Sequence, residues 1–283
     1  MSEKLTTTDH NREIAGLQYI YPVISRRAGG LSIGINLNTN KACNWRCLYC
    51  QVPGLSKGAA PAIDFPRLER ELRWFLQYVL VGSFYADFDM PEQQRCIKDI
   101  AISGNGEPTS ARGFAHVITL LTEVLAELQL THAFNKVLIT NGSLVHRTEV
   151  QQGLRQWHAI GGEVWFKLDS ATTQGRRLLN NSRLSNAKVL SNLRLAASLC
   201  TTKIQTCVLQ YLGDNWPAGE RAAYLDLLRQ LTDIPNLRSI MLYSIARPSY
   251  QPEAPLLQAM PVAEMQAFAR ELEQLGFQVS VSV

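Results

Sequence analysis

The stretch Leu31-Ser32-Ile33-Gly34-Ile35-Asn36-Leu37-Asn38, followed a short connection later by Cys43-Asn44-Trp45-Arg46-Cys47-Leu48-Tyr49-Cys50, decides how this 283-residue chain is read. The first segment alternates apolar and polar residues and predicts a β-strand. The second sets three thiols in a loop directly behind it, spaced C-x3-C-x2-C. Thiols so close in sequence suit a metal centre better than disulfides. A [4Fe–4S] cluster is usually held by four thiolates, and here the local set stops at three. An iron without a protein ligand binds a small molecule directly, which turns an electron relay into a catalytic site. A zinc knot or a plain electron-transfer cluster is the competing reading, but structural zinc favours a second Cys or His pair further along. Cys96, Cys200 and Cys207 form no close pair, and His10, His116, His132, His146 and His158 are dispersed. Cys200 and Cys207 are expected to pack as small apolar groups.

Hydrophobic residues make up 46% of the chain and charged residues 18%, which predicts a sizeable core and excludes wholesale disorder. Residues 1–12 are polar and lack the apolar centre of a signal peptide. No run approaches the roughly 20 apolar residues of a membrane span. Cysteines without framework spacing point to a reducing compartment, so a cytoplasmic protein without membrane contact is expected. The net charge of +4 is compatible with a nucleic-acid substrate without demanding one. Small basic clusters stand at Arg26-Arg27 and Arg176-Arg177, and the first pair is a candidate anchor for an anionic group.

The strand at 31–38 leads, through the cysteines and a Pro- and Gly-containing loop, to a helix from Phe65 with Leu68, Leu72, Phe75, Leu76 and Val79 on one face. The same pattern recurs. Strands are predicted at 98–103, 136–140, 163–168, 203–209 and 239–245. Helices follow them, carrying Phe114 to Leu128 and then covering 147–157, 185–199, 218–231 and 261–275. Residues 277–283 alternate strictly and predict an edge strand. Strands alternating with helices imply a parallel sheet with helices outside. Residues 1–20 read as a flexible N-terminal extension ahead of one domain over 21–283, with no linker or internal repeat.

The cysteine spacing, with aromatic Tyr49 before the last thiol, resembles the signature of the radical S-adenosylmethionine (SAM) enzymes. That resemblance implies an α/β fold, a partial (β/α)6 TIM-like barrel, and the strand count meets it independently. It also implies that Cys43, Cys47 and Cys50 hold one [4Fe–4S] cluster and that SAM chelates the open iron. Reductive cleavage then gives methionine and a 5′-deoxyadenosyl radical that takes hydrogen from a substrate. An external flavodoxin- or ferredoxin-like electron donor is implied as well.

Ligands in parallel α/β architectures sit at the carboxyl ends of the strands. Ser103-Gly104-Asn105-Gly106-Glu107-Pro108-Thr109 follows the second strand and resembles the family's Gly-Gly-Glu motif, with Asn105 in place of a glycine. The resemblance makes Gly104, Asn105, Gly106 and Glu107 contacts of the SAM ammonium; an ordinary turn before a helix is the alternative. After the third strand, Asn141 is either a rim ligand contact or a turn cap. At the fourth, Lys167 and Asp169 share one side by period two, followed by Ser170. In related enzymes this position touches the SAM ribose and carboxylate, and an internal Lys–Asp pair is compatible with that role. Tyr49 joins the expected cofactor contacts.

Tyr21 to Arg27, Gly34-Ile35-Asn36, the cysteine triplet with Gln51, and Ser103 to Thr109 together resemble the wyosine-synthase-like branch over roughly residues 20 to 170. The characterised enzyme of that branch makes 4-demethylwyosine on a guanosine of tRNA from a methylated precursor and pyruvate, which implies tRNA as a substrate here. It carries further cysteines ahead of the triplet for a second cluster. No cysteine precedes Cys43, which places the pyruvate chemistry in doubt. A peptide, a protein side chain or a small metabolite are the alternative substrates.

Overall fold

A computed structural model of the chain describes Leu5 and residues 15–25, 29–237 and 239–282. The chain opens with strands β1 (Ile20–Ser25) and β2 (Gly30–Ile35). The short strands β3 (Ala42–Cys43) and β4 (Ser56–Lys57) flank the cysteine loop. Helices α1 (Phe65–Leu80) and α2 (Phe84–Asp87) follow, then β5 (Ile97–Ile102), α3 (Phe114–Glu127), β6 (Asn135–Thr140), α4 (Thr148–Ala159) and β7 (Gly162–Lys167). Next come α5 (Thr173–Asn180), α6 (Asn186–Leu199), β8 (Thr201–Cys207), β9 (Leu209–Tyr211) and α7 (Ala218–Arg229). The chain ends with β10 (Ser239–Tyr243), β11 (Leu257–Ala259), α8 (Val262–Gln274) and β12 (Gln278–Ser282).

One eight-stranded sheet runs in the order β1-β2-β5-β6-β7-β8-β10-β12. From β2 to β12 every neighbouring pair is parallel. The strands β2, β5, β6, β7, β8 and β10 are those expected from the alternation, and β12 is the expected edge strand. Among the described residues no pairing joins β1 to β12, so the curved sheet is an open barrel.

Alternation along each strand sorts side chains between two environments. On β7, Val164 and Phe166 belong to the core between sheet and helices, whereas Trp165 and Lys167 face the interior of the barrel. The helices meet this core with apolar faces such as Leu68, Leu72, Phe75 and Leu76 on α1, and that burial is the main source of stability. Asp64 caps α1 by accepting the Arg67 N–H at 3.0 Å, and Thr172 caps α5 through Gly175 at 2.9 Å.

Several elements were not evident in the periodicity, among them the short strands β3, β4 and β11, helix α2, and two that shape the site, β1 and α5. Strand β1, Ile20–Ser25, pairs antiparallel with β2 and contains Pro22; proline cannot donate to a ladder and is confined to edges, which is where β1 lies. Helix α5 is short, and its buried residues are Arg176, Leu179 and Asn180, so its inward face is largely polar. The approach to β1 is already packed: Tyr19 is buried and its hydroxyl accepts the Asp64 N–H at 2.9 Å. Arg26 and Arg27, the candidate anion anchor, lie outside the described residues. Cys200 and Cys207 are buried, as expected of small apolar groups.

Tyr21 stands opposite Gly34 in the β1–β2 register, with its hydroxyl 2.9 Å from Ser103 Oγ. A Cβ at position 34 would overlap the tyrosine ring. Gly34→Ala is therefore expected to destabilise the fold by about 1–3 kcal/mol, the usual cost of overpacking, as read from urea unfolding midpoints.

Candidate active site

The cysteine loop is fastened from several sides. Backbone N–H groups of Arg46 and Leu48 donate to the carbonyls of Asn180 and Leu179 at 3.1 and 2.8 Å, so Cys47 lies between two main-chain bonds to the end of α5. Ser249 Oγ donates to the carbonyls of Leu48 and Cys50 at 2.6 and 3.1 Å. The Tyr250 N–H donates to the Cys50 carbonyl at 2.9 Å. Arg46 grips Glu253 with both guanidinium prongs, at 2.8 and 2.6 Å, the planar fit that favours arginine on a carboxylate. From the end of β6, Asn141 Nδ2 donates to Asn44 Oδ1, and Asn44 Nδ2 to Ser143 Oγ, both at 2.8 Å.

Beneath the loop lies Asp169, its side chain wholly inaccessible. Oδ1 accepts the Cys207 N–H at 2.9 Å and stands 4.0 Å from Lys167 Nζ. Oδ2 accepts the Tyr49 hydroxyl and, at 2.7 Å, Asn180 Nδ2. Protein donors therefore occupy both oxygens. Asn180 Nδ2 also reaches Cys47 Sγ at 3.3 Å, while Asn180 Oδ1 is buried without a partner. The opposite orientation of that amide would aim its oxygen at a carboxylate and a sulfur, both acceptors. Ser170 is buried beside Asp169 with its hydroxyl on the Thr172 carbonyl at 3.1 Å.

Lys167 donates to the Tyr243 hydroxyl at 2.8 Å, and its ammonium lies 5.0 and 5.4 Å from the ring centres of Tyr49 and Tyr243. Burial, the largest single influence, works to lower its pKa, but Asp169 together with Tyr243, Cys47 and Cys207 holds it above the ordinary lysine range. Lys167 is thus an ammonium ion. Burial pushes the Cys43 thiol up to about 12 and the Cys47 thiol up to about 11, the latter restrained by the charge of Lys167. Thiolates at these positions call for a cationic partner in place of their protons.

The Gly-Asn-Gly-Glu turn is built for close approach. Gly104 has a φ of +148°, and a Cβ there would overlap Asn36 Oδ1; one at Gly106 would overlap the Ala42 carbonyl. Asn36 Oδ1 accepts the Asn105 N–H at 3.0 Å. Glu107 is buried, which raises its pKa against the pull of its hydrogen bonds. Its Oε1 accepts Thr109 and Thr140 hydroxyls, each at 2.5 Å, and its Oε2 accepts the Asn141 N–H at 2.7 Å. The acid therefore ties the end of β5 to the end of β6.

These parts surround one cavity of about 380 Å³ inside the barrel, within the usual range of ligand sites. Of the sequence-predicted residues it brings together Cys43, Cys47, Cys50, Tyr49, Gly104, Gly106, Glu107, Asn141 and Lys167. Asn105, Asp169 and Ser170 are not on its wall. None of the described cysteines is in a disulfide, and among the described residues no group of three or more His, Cys, Asp and Glu side chains is arranged to hold a metal ion. Sequence reasoning missed Asn44, Asn180, Ser249 and Arg46, whose roles depend on long-range contacts. It also missed Asp99, although an acid inside the apolar strand Ile97–Ile102 is a readable signal.

Asp169→Ala is expected to cost about 3–5 kcal/mol, because it leaves the Lys167 ammonium buried without its carboxylate. Asp169→Asn, which retains an acceptor oxygen, should lose less; chemical unfolding of the two variants checks the order.

No family model matches the chain. A UPF0026 protein of Helicobacter pylori is 25% identical over 230 residues, 81% of this chain and 66% of that protein. The chain thus spans just under two thirds of that relative's length. The structure of TYW1 with a lysine–pyruvate adduct bound superposes with a TM-score of 0.56 at 16% identity, covering 86% of this chain and 73% of that one. A radical SAM methyltransferase from Sphaerobacter thermophilus gives a TM-score of 0.61 at 12% identity, covering 93% of this chain and 68% of that one. No helix among the described residues is long and apolar enough to cross a membrane. The open barrel, with its three-cysteine loop behind the first parallel strand, has the fold of the radical SAM superfamily.

Proposed function

We propose that the chain is a radical SAM enzyme in which Cys43, Cys47 and Cys50 hold one [4Fe–4S] cluster beside a SAM molecule. The observation that carries this reading is that three thiols outside any disulfide line an interior cavity together with Tyr49, Gly106, Glu107 and Lys167. Three thiols at this spacing, with no second Cys or His pair close by in sequence, suit an iron–sulfur cluster better than structural zinc. When bound, such a cluster supplies the reductive cleavage of SAM to methionine and a 5′-deoxyadenosyl radical, which takes a hydrogen atom from the substrate.

The chain's own residues position and shield. Lys167, held as an ammonium by Asp169, offers its charge to the SAM carboxylate. Gly104 and Gly106 let the backbone approach the SAM ammonium. Glu107 and Asn141 hold the rim against the cysteine loop. The enclosing barrel keeps water from the reacting centre. A flavodoxin- or ferredoxin-like protein delivers the electron. The likeness to TYW1 supports an RNA base on tRNA as the substrate class, and the net charge of +4 is compatible with it.

The test is anaerobic reconstitution with iron and sulfide, followed by SAM and reductant and quantification of 5′-deoxyadenosine. Formation of that product by the wild type, and its loss in Cys47→Ala, are expected. A cluster that assembles without cleaving SAM would sink the enzyme reading in favour of electron transfer.

A further inference from the structure

The cavity carries two polar side chains to which the SAM reading assigns no role, Asp99 on its β5 wall and Gln205 on its β8 wall, opposite Lys167 in the β7–β8 register. Asp99 on β5 and Gln205 on β8 are only 7% and 4% exposed, and both line the cavity. Asp99 accepts the Ser32 hydroxyl on Oδ1. Among the described residues its Oδ2 has no donor, no lysine or arginine pairs with it, and the side-chain amide of Gln205 has no partner. Neither is among the sealed-off unpaired atoms, so both open onto the cavity, where a bound molecule can pair with them. Burial also pushes the Asp99 carboxyl up, with Glu163 adding to the effect, a penalty that a bound N–H donor relieves.

The strand order sets what can lie between these groups. Val137 and Ile139 on β6 and Trp165 on β7 stand between Asp99 and Gln205 on the same wall. Trp165 is fixed in place: its indole N–H donates to Glu163 at 2.6 Å, and Glu163 in turn pairs with Lys203 at 2.7 Å. An apolar, partly aromatic surface with a carboxylate at one end and an amide at the other fits a flat polar ring. Aromatic stacking holds such a ring, and a carboxylate accepts two adjacent N–H groups from its edge.

We propose that Asp99, Trp165 and Gln205 form the substrate subsite, taking an amino-substituted nitrogen heterocycle whose amidine-type N–H edge meets Asp99. This rests on the radical SAM reading and deepens it: the subsite names the part of an RNA base that the cavity recognises. Asp99 is a substrate anchor, and Ser32 fixes its carboxyl.

The experiment uses the full chain, reconstituted anaerobically and loaded with SAM, and calorimetric titration with 2-aminobenzimidazole, a flat ring bearing that edge. Benzothiazole, a ring of similar size without N–H groups, is the control. The wild type should bind 2-aminobenzimidazole in preference to benzothiazole, and Asp99→Asn should lose about tenfold or more in affinity for the former alone. Gln205→Leu, which leaves Asp99 intact, should weaken binding less. Equal binding of the two rings by the wild type, or unchanged binding in Asp99→Asn, would overturn the subsite. SAM cleavage without added ring is measured on the same samples: its absence in the wild type is a failure of the radical SAM reading, whereas its presence with no ring discrimination is a failure of the subsite alone. Retained cleavage in Asp99→Asn excludes misfolding as the cause of lost affinity.

Discussion

The site depends on a carboxylate that never meets solvent. Asp169 receives a tyrosine hydroxyl, an asparagine amide and a backbone N–H, and faces a lysine ammonium. Each donor comes from a different part of the chain: the cysteine loop, helix α5, the end of β8 and the end of β7. A buried acid is tolerated only when its charge is matched and its lone pairs are filled, and here satisfying it assembles the site. Tyr49 cannot reach Asp169 unless the loop is seated, and Asn180 cannot unless α5 has formed.

Glu107 does the same work on the other side of the loop, tying β5 to β6 and, through Asn141, to Asn44. The two acids expected from the sequence to contact a cofactor are thus largely consumed by the protein itself. Close backbone approach at Gly104 and Gly106 and the ammonium of Lys167 are left to face the cavity. The division is physically sensible: carboxylates in a dry site hold strands together, while the exposed polar reach comes from backbone and lysine.

Much of this was legible in the sequence, and the limits have physical causes. The six parallel strands and the edge strand announced themselves because a strand under helices must alternate or run apolar. The thiols, the glycine turn and Lys167 were legible because their chemistry is local. Helix α5 was not, since its inward residues Arg176 and Asn180 are polar and carry no apolar period. Strand β1 was obscured by Pro22. Gln205 and Asp99 were passed over because their meaning arises only when strands separated by more than a hundred residues share one wall. Whether a post-strand acid faces a ligand or its own neighbours is likewise decided by donors that local sequence does not name.

The fastening of the cysteine loop has a temporal side. Arg46 is locked to Glu253, Cys50 to Tyr250 and Cys47 to Asn180, so contacts made by residues near the start of the barrel wait for residues near its end. Such long sequence separations are closed late in folding. The thiols stay on a loose segment while the chain emerges and reach their final places only when nearly all of it has folded. The shape of the cysteine loop is thereby tied to completion of the barrel, and an unfinished chain holds its three thiols in no fixed arrangement.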